Sequence, residues 1–488
     1  MAQIEHFDGA GVLAAARAAA RGGDIRGAVD SYRTVVRDCA RSGLRYPPGC
    51  PKPTALLLEC DRSEDVLEIE ASAVLSEDLA NFDNDFATSK NVLLFKRELQ
   101  RHWIDRNGID RETLYLGEDW TVNIGHIGTI QYLVKLKELG LSGWKRIVVV
   151  SRPQSVINVP LLEQFGGHVE HVCDPEAVKQ MAPIVIGAGL RHYDVVSLND
   201  EPPLFVAESF NVIETAWVQS GRAPVLTLTP EQLKEARALI GALGVPPDRR
   251  YISLHVRESG FFGDAYNPQR TAAIEDYVSV MQLAADRGDW VVRMGDPSMS
   301  TMPELPGAID YAHSAMKSAK LDMYLCALAR FYVGTTSGLM FVPHAFGTRT
   351  LITNYSFVFA PPPFGSGARY IPKLITQYGE TLPLARMMSE DVMRSSYLHA
   401  NFSARGLAYV DNSREDIRLA AQEMYGGDPS LTREQQEIAD SLPASWRDGS
   451  STVGHSFIQQ HFKPRETARR LAPLRSSWAR WSAALRLR

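Results

Sequence analysis

The sequence predicts an α/β protein built on parallel, doubly wound sheets, and three observations carry that prediction. Between residues 248 and 356 short apolar runs alternate with segments of helical period, and strands alternating with helices pair in parallel. Two of these strands end in residues that suit an anion, His255-Val256-Arg257-Glu258 and Gly334-Thr335-Thr336-Ser337-Gly338, at the place where such sheets bind their ligands. The chain is also long enough, at 488 residues with 45% hydrophobic residues, for two or three domains with large cores.

In chain order, residues Val12 to Arg41 come first and form a helical hairpin around Gly22-Gly23-Asp24, with Ala28, Val29, Tyr32, Val35 and Val36 on one face of the second helix. It resembles one tetratricopeptide-type unit. No second copy follows, so a helical cap packed on the next domain is the reading preferred to a solenoid. Tyr46 to Pro53, with four prolines, is a linker.

Short apolar runs come next, at Ala55–Leu58, Asn91–Phe95, Thr121–Ile124 and Ile147–Val150. The last two flank a helix from Thr129 to Leu139 and give a βαβ unit with Gly125-His126-Ile127-Gly128 at its turn. This is short of a full dinucleotide fingerprint. From about 201 to 229 the chain reads as irregular. A helix then runs from Pro230 to Leu243, capped reciprocally by Thr229 and Gln232 and stopped by Gly244.

Beyond it the alternation is regular. Strands are expected at 251–256, 290–294, 308–311, 331–334 and 350–353, and helices at 271–287, 319–329 and 338–346. The expected domains are 1–53 (hairpin and linker), 54–246 (Rossmann-like, acceptor side), 247–428 (Rossmann-like, donor side) and 429–488 (helical extension with a basic tail).

Composition narrows the function. A net charge of −5 and a pI near 6.2 argue against nucleic acid as the main partner. The five cysteines are scattered, without zinc spacing, and read as reduced thiols of a cytoplasmic protein. The N-terminus fits neither a signal peptide nor a spanning helix.

Arg257 is the strongest candidate for chemistry, because a guanidinium can clamp a diphosphate and stabilise charge on a departing nucleotide diphosphate. The plain alternative is an ion pair with an acid such as Glu258. His255 can bond a base or ribose, or only a local carbonyl. Thr335, Thr336, Ser337 and Gly338 offer hydroxyls and backbone N–H groups to phosphate at the start of the helix 338–346. Gly295 and Asp296 end their strand where a carboxylate can accept from ribose or base, and Asp322 opens the next helix in the same way. Each acid can instead be a helix cap. For a general base the candidates by position are Asp264, on the Gly-rich loop from Glu258 to Arg270, then Glu258 and His126. Asp83-Asn84-Asp85 has a D-x-D spacing but reads as a solvated loop. No metal and no cofactor is expected.

These residues resemble a known family. His255-Val256-Arg257 followed by Asp264, Arg293-Met294-Gly295-Asp296-Pro297, and Leu321-Asp322 leading into Gly334-Thr335-Thr336-Ser337-Gly338 are similar to the donor domain of fucosyltransferase-like enzymes with the GT-B fold. The resemblance extends over roughly residues 90 to 425, toward a bacterial group of glycosyltransferases. It implies two Rossmann-type domains facing a cleft and metal-independent, inverting transfer. It also implies base recognition by His255 and Asp322, phosphate binding by Arg257 and Ser337, and ribose or base contact by Asp296. The donor implied is a nucleotide diphosphate sugar, with a GDP-sugar favoured. The family's second Arg after H-x-R is Glu258 here, so the sugar need not be fucose. The turn and Gly347 to Asn354 also resemble heptosyltransferase-like donor domains.

From Lys463 to Arg488 there are eight Lys or Arg and one acid, so this tail carries +7 against about −12 for the rest. Leu471, Leu474, Trp478, Trp481 and Leu485 fall on one helical stripe. Such a helix suits an anionic membrane surface, and peripheral contact through residues 465–488 at the inner face of the plasma membrane is one reading. A helix docked on the protein is the other. The expected function is a glycosyltransferase of polysaccharide biosynthesis acting on a hydroxyl of a glycan or lipid-linked saccharide. The rival is a non-catalytic scaffold of an envelope glycan assembly built on a retired transferase domain.

Overall fold

The computed structural model describes residues 9–42, 64–82, 86–199, 202–258, 268–356, 360–389, 392, 399–426, 430–442 and 444–462. The linker 46–53, the run Ala55–Leu58, Asp83-Asn84-Asp85, Asp264 and the tail 465–488 lie outside them. The chain divides into two compact units. The first comprises Met1–Val122, Gly140–Ile157 and Gly166–Ala207; the second comprises Asn123–Leu139, Asn158–Phe165 and the chain from Glu208 onward.

The first unit holds the helices Gly9–Arg21, Ile25–Ser42, Glu64–Phe82 and Phe86–Arg106. Ala28, Val29, Tyr32 and Val35 are buried against Ala71, Val74, Leu75 and Leu79. Arg17 reaches across to Asp78 with bonds of 2.7 and 2.8 Å, and the Tyr32 hydroxyl donates to the same carboxylate. A parallel sheet follows, of β1 (Thr113–Leu116), β2 (Arg146–Val150) and β3 (Glu170–Val172), with a small antiparallel pair, β4 (Val195–Val196) and β5 (Leu204–Phe205).

Three expectations fail between residues 86 and 219. Asn91–Phe95 is no separate run but part of the helix Phe86–Arg106. The strand expected at Thr121–Ile124 is absent: the strand is β1, eight residues earlier. Trp120, fully buried and donating to the Leu190 carbonyl at 2.7 Å, closes a 3₁₀ turn there. Asn123 then caps a helix Ile124–Glu138 by accepting from the Gly125 N–H at 2.8 Å, so Gly125 to Gly128 are its first turn rather than a loop. The stretch read as irregular contains the helix Val206–Gln219. Val206, Phe210, Ile213 and Trp217 form its buried stripe, and Ser209, Asn211, Glu214 and Thr215 are buried beside it: Asn211 donates to the Pro361 carbonyl (3.0 Å) and the Ser450 hydroxyl (2.7 Å). Polar side chains whose burial is offset by fixed partners are invisible to a hydrophobic count.

The second unit is organised by one seven-stranded sheet, parallel throughout. Its strands are β6 (Tyr251–His255), β7 (Trp290–Arg293), β8 (Ala308–Asp310), β9 (Tyr332–Gly334), β10 (Thr350–Tyr355) and β11 (Arg369–Pro372). A three-stranded antiparallel sheet of β12 (Leu374–Gln377), β13 (Glu380–Thr381) and β14 (Leu407–Val410) lies apart from it, and β15 (Thr452–Val453) completes the large sheet. The large sheet's order is β15-β11-β10-β9-β6-β7-β8. All five strands expected between 248 and 356 are present within two residues of their expected ends. The chain builds outward from β6 through β7 to β8, then returns to β6's other side with β9. The direction of winding therefore reverses between β6 and β9, which is the doubly wound pattern, and such reversals are where open parallel sheets take their ligands.

The helix Pro230–Leu243 carries the expected capping box, with Gln232 N–H on Thr229 Oγ1 at 3.2 Å, and ends at Gly244 with φ 115°. Two expected helices are shorter than read. Residues 271–287 form a 3₁₀ turn Ile274–Tyr277 and a helix Val278–Asp286, and 338–346 form a 3₁₀ turn Gly338–Met340 followed by Phe341–Ala345.

Candidate functional site

The reversal brings two predicted segments side by side. His255 ends β6 and Gly334 ends β9, and the two are register partners. Beyond them the chains stay bonded: the Thr335 N–H donates to the His255 carbonyl at 3.1 Å, and the Arg257 N–H donates to Thr335 Oγ1 at 2.9 Å. Ser337 Oγ stands 3.2 Å from His255 Nδ1. The Thr336 hydroxyl accepts from the Ser356 N–H (3.0 Å), and the Thr336 carbonyl accepts from Arg270 Nε (3.0 Å). Thr335 and Thr336 thus fix the two loops to each other, and each hydroxyl keeps its own proton to donate.

Burial and charge set the state of His255. Its imidazole is pushed down to about 3, first by burial and then by Arg293, with Arg257 and Lys317 acting in the same direction and Asp296 opposing. It is therefore neutral at pH 7, one ring nitrogen a donor and the other an acceptor. Arg257 is buried as well.

Glu258 does not pair with Arg257. It accepts from Arg293 at 3.3 Å and from the Ser300 N–H at 2.6 Å, while Arg293, fully buried, also binds Asp310 at 3.0 Å. Arg293 opened the Arg293–Pro297 run of the resemblance with no role attached to it, and Asp310 had no sequence signal beyond its strand position. Gly295 has φ 148°, where a Cβ would strike the Met299 sulfur. This is a position for glycine alone. Asp296 follows, with the Ser298 N–H on its Oδ1 at 2.9 Å. Asp322, in the first turn of the helix Ala319–Ala327, holds Lys317 Nζ at 3.0 and 3.3 Å. Burial raises its carboxyl and Lys317 opposes that.

His126 joins this region from far away in sequence. It lies in the first turn of the helix Ile124–Glu138, where Gly125 packs on Gly338 and Gly128 on Phe341. The same helix is held lower down by a buried cluster that sequence reading missed. Lys135 Nζ is 2.5 Å from Glu214 and 3.4 Å from His344 Nε2, and His344 is 3.3 Å from Glu214. Coupling to His344 and Lys135 outweighs burial and holds the Glu214 carboxyl down at about 2.

The structure therefore joins the ends of β6 and β9 through His255, Arg257, Thr335 and Ser337, sets Gly338 against Gly125 in the first turn of the helix that carries His126, and leaves Asp296 and Asp322 on neighbouring strand and helix ends. Glu258 is turned into the Arg293 network. In the first unit a groove of about 600 Å³ is lined by Arg97, Arg101, Thr113 and Trp144 among others, and by none of the predicted site residues. Among the described residues no group of three or more His, Cys, Asp or Glu is placed to hold a metal ion, and no helix is long and apolar enough to cross a membrane.

The second unit is thus a doubly wound α/β domain whose switch point carries a neutral histidine, an arginine and a hydroxyl-lined turn. No family model matches the chain, and no curated protein does. Among solved structures, it is similar to a glycosyl transferase family 9 protein from Veillonella parvula, at 11% identity over 50% of this chain and 80% of that one (TM-score 0.33). It is also similar to the Escherichia coli ADP-heptose lipopolysaccharide heptosyltransferase II, at 16% identity over 60% and 99% (TM-score 0.36). The E. coli heptosyltransferase WaaC matches at 12% identity over 53% and 92% (TM-score 0.24). At these values the likeness bears on neither the fold nor the reaction of this chain.

Proposed function

We propose that the protein is a glycosyltransferase of GT-B type that moves a sugar from a nucleotide diphosphate donor to a hydroxyl of a glycan or lipid-linked saccharide. The observation that carries the reading is the pairing of His255–Arg257 with Thr335–Ser337 at the reversal between β6 and β9. Open parallel sheets take nucleotides at that place, and a buried arginine beside a hydroxyl-lined turn matches a diphosphate in charge and geometry.

In this reading residues 247–428 supply the donor site and residues 54–246 the acceptor side. Arg257 and Ser337 bind the β-phosphate, and Arg257 stabilises the charge that grows on the leaving nucleotide diphosphate. His255, neutral, bonds the base or ribose, and Asp296 accepts from the ribose. Asp322 lies on the base side. A GDP-sugar is the favoured donor, on the motif resemblance alone. Transfer is inverting and metal-independent, with the general base drawn from Asp264 or His126. The protein acts in the cytoplasm, and the tail 465–488 docks on the anionic inner face of the membrane.

The test is a thermal-shift panel of GDP, UDP, CDP, ADP and CMP with and without EDTA. A ligand of the folded state raises the melting temperature. The expected result is a selective, EDTA-resistant shift with one diphosphate that is lost in Arg257→Ala. No shift with any nucleotide would sink the reading and favour the scaffold.

A further inference from the structure

We propose that Arg270 is a positioning residue of the donor site: by holding the Thr336 carbonyl it turns the Ser337 N–H toward the diphosphate. This rests on reading the joined ends of β6 and β9 as a nucleotide diphosphate site, and adds to it a backbone donor and the residue that aims it.

Arg270 closes a 3₁₀ turn, Pro268–Arg270, and the three residues from Arg270 to Ala272 bond to both loops of the site. Arg270 Nε donates to the Thr336 carbonyl at 3.0 Å, and the Ala272 N–H donates to the Arg257 carbonyl at 3.0 Å. Thr271 between them is held as well. Its carbonyl accepts from Lys373 Nζ at 2.8 Å, and the same buried ammonium holds Asp411 at 2.6 Å. Three consecutive residues are thus fixed, which anchors the Arg270 side chain against the Thr336 peptide.

That bond decides which way a peptide faces. The Thr336–Ser337 peptide is trans, so its C=O and N–H lie on opposite sides. With the Thr336 carbonyl turned onto Arg270, the Ser337 N–H points away from it. Ser337 is buried and extended, with φ −145° and ψ 163°, and among the described residues no group accepts from its N–H. A buried amide without an acceptor is costly, and a phosphate oxygen would remove that cost. Ser337 Oγ, 3.2 Å from His255 Nδ1, belongs to the same residue, so hydroxyl and amide can meet one phosphate. The Thr336 hydroxyl stays on the Ser356 N–H whether or not Arg270 is present. What Arg270 adds is the direction of the next amide, a donor set in place before the ligand arrives.

The test reads that amide directly. The full chain is prepared with isotopically labelled serine, the Ser337 signal is assigned by its loss in Ser337→Ala, and inorganic pyrophosphate is titrated by NMR and by calorimetry. In the wild type the Ser337 amide proton should move downfield as pyrophosphate binds. Arg270→Leu should weaken pyrophosphate roughly tenfold, the scale of one hydrogen bond to a charged group, and its Ser337 signal should stay still at saturation. Arg270→Lys should restore most of both. A Ser337 signal that is unmoved in the wild type at saturating pyrophosphate, or that moves as fully in Arg270→Leu, overturns the inference, and loss of binding in Arg257→Ala then leaves the donor site standing. A wild-type protein that binds neither pyrophosphate nor any nucleotide diphosphate removes the donor site and this inference together. Should Arg270→Leu not fold, Lys373→Met takes its place, since it releases Thr271 and strands only the half-exposed Asp411: a smaller loss with a reduced Ser337 shift is expected, and wild-type values overturn the inference.

Discussion

Gly125 and Gly338 meet through their backbones: a Cβ built on Gly338 would stand 2.8 Å from the Cα of Gly125 and 2.9 Å from its nitrogen. No side chain fits between them, and the contact seats the first turn of a helix beside the Thr335–Ser337 loop. Neither partner can give way as the tip of a flexible side chain could.

Gly338→Ala should therefore destabilise the protein by about 1–3 kcal/mol, the cost of overpacking, and lower nucleotide binding with it. Gly241 is the control. It lies within the helix Pro230–Leu243 with nothing within 4 Å of an added methyl, and Gly241→Ala should add roughly 0.5–1 kcal/mol. Urea midpoints read both.

The cluster of Lys135, Glu214 and His344 is buried. Removing one charge strands the other, at about 3–5 kcal/mol, whereas replacing both is far milder. Glu214→Leu alone should be the severe variant, and Lys135→Met with Glu214→Leu should recover much of the loss. A double-mutant cycle in urea measures this coupling.

Acid should weaken the fold through two groups. His255 titrates near 3 when folded against an ordinary 6.5, so the unfolded chain takes the proton first and stability is lost as pH falls from 6.5 toward 3. Glu214, at about 2 against 4.5, acts in the same direction between those values. Each contributes a slope of up to about 1.4 kcal/mol per pH unit within its window. Urea unfolding at pH 7, 5.5 and 4.5 should show the decline, and His255→Asn should flatten its upper part.

Glu258→Ala should cost stability before chemistry, because it leaves the buried Arg293 with Asp310 as its remaining acid. A loss of about 3 kcal/mol or more is expected. A variant of wild-type stability that had lost transferase activity a hundredfold would instead make Glu258 the general base.

Deleting residues 465–488 should abolish binding to vesicles containing anionic lipid and leave nucleotide shifts unchanged. Unaltered vesicle binding in co-sedimentation would exclude the tail as the anchor.

Much of the large sheet was legible in the sequence because its strands are continuous apolar runs with turn residues after them, and Thr229, Gln232 and Gly244 mark their helix by local rules. The adjacency of His255 and Ser337 was only implied, since it depends on the reversal of strand order. The misses share a cause. In the helix Val206–Gln219 the buried stripe of Val206, Phe210, Ile213 and Trp217 was hidden among polar residues, Asn211 and Glu214, that are buried by distant partners. Gly125 and Gly128 looked like a turn because glycine signals open backbone, and here they signal close packing instead.

The grouping of Asn123–Leu139 with the second unit has a consequence for synthesis. This helix leaves the ribosome about 200 residues before Gly338 and Phe341, on which Gly125 and Gly128 pack, an interval of roughly 10–40 s at ordinary elongation rates. Until then its glycine face has no seat, while Lys135 waits only 79 residues for Glu214. A fragment beginning at Glu208 would face the converse problem, with Glu214 and His344 deprived of Lys135, so the two units should be inseparable by cutting at any single point.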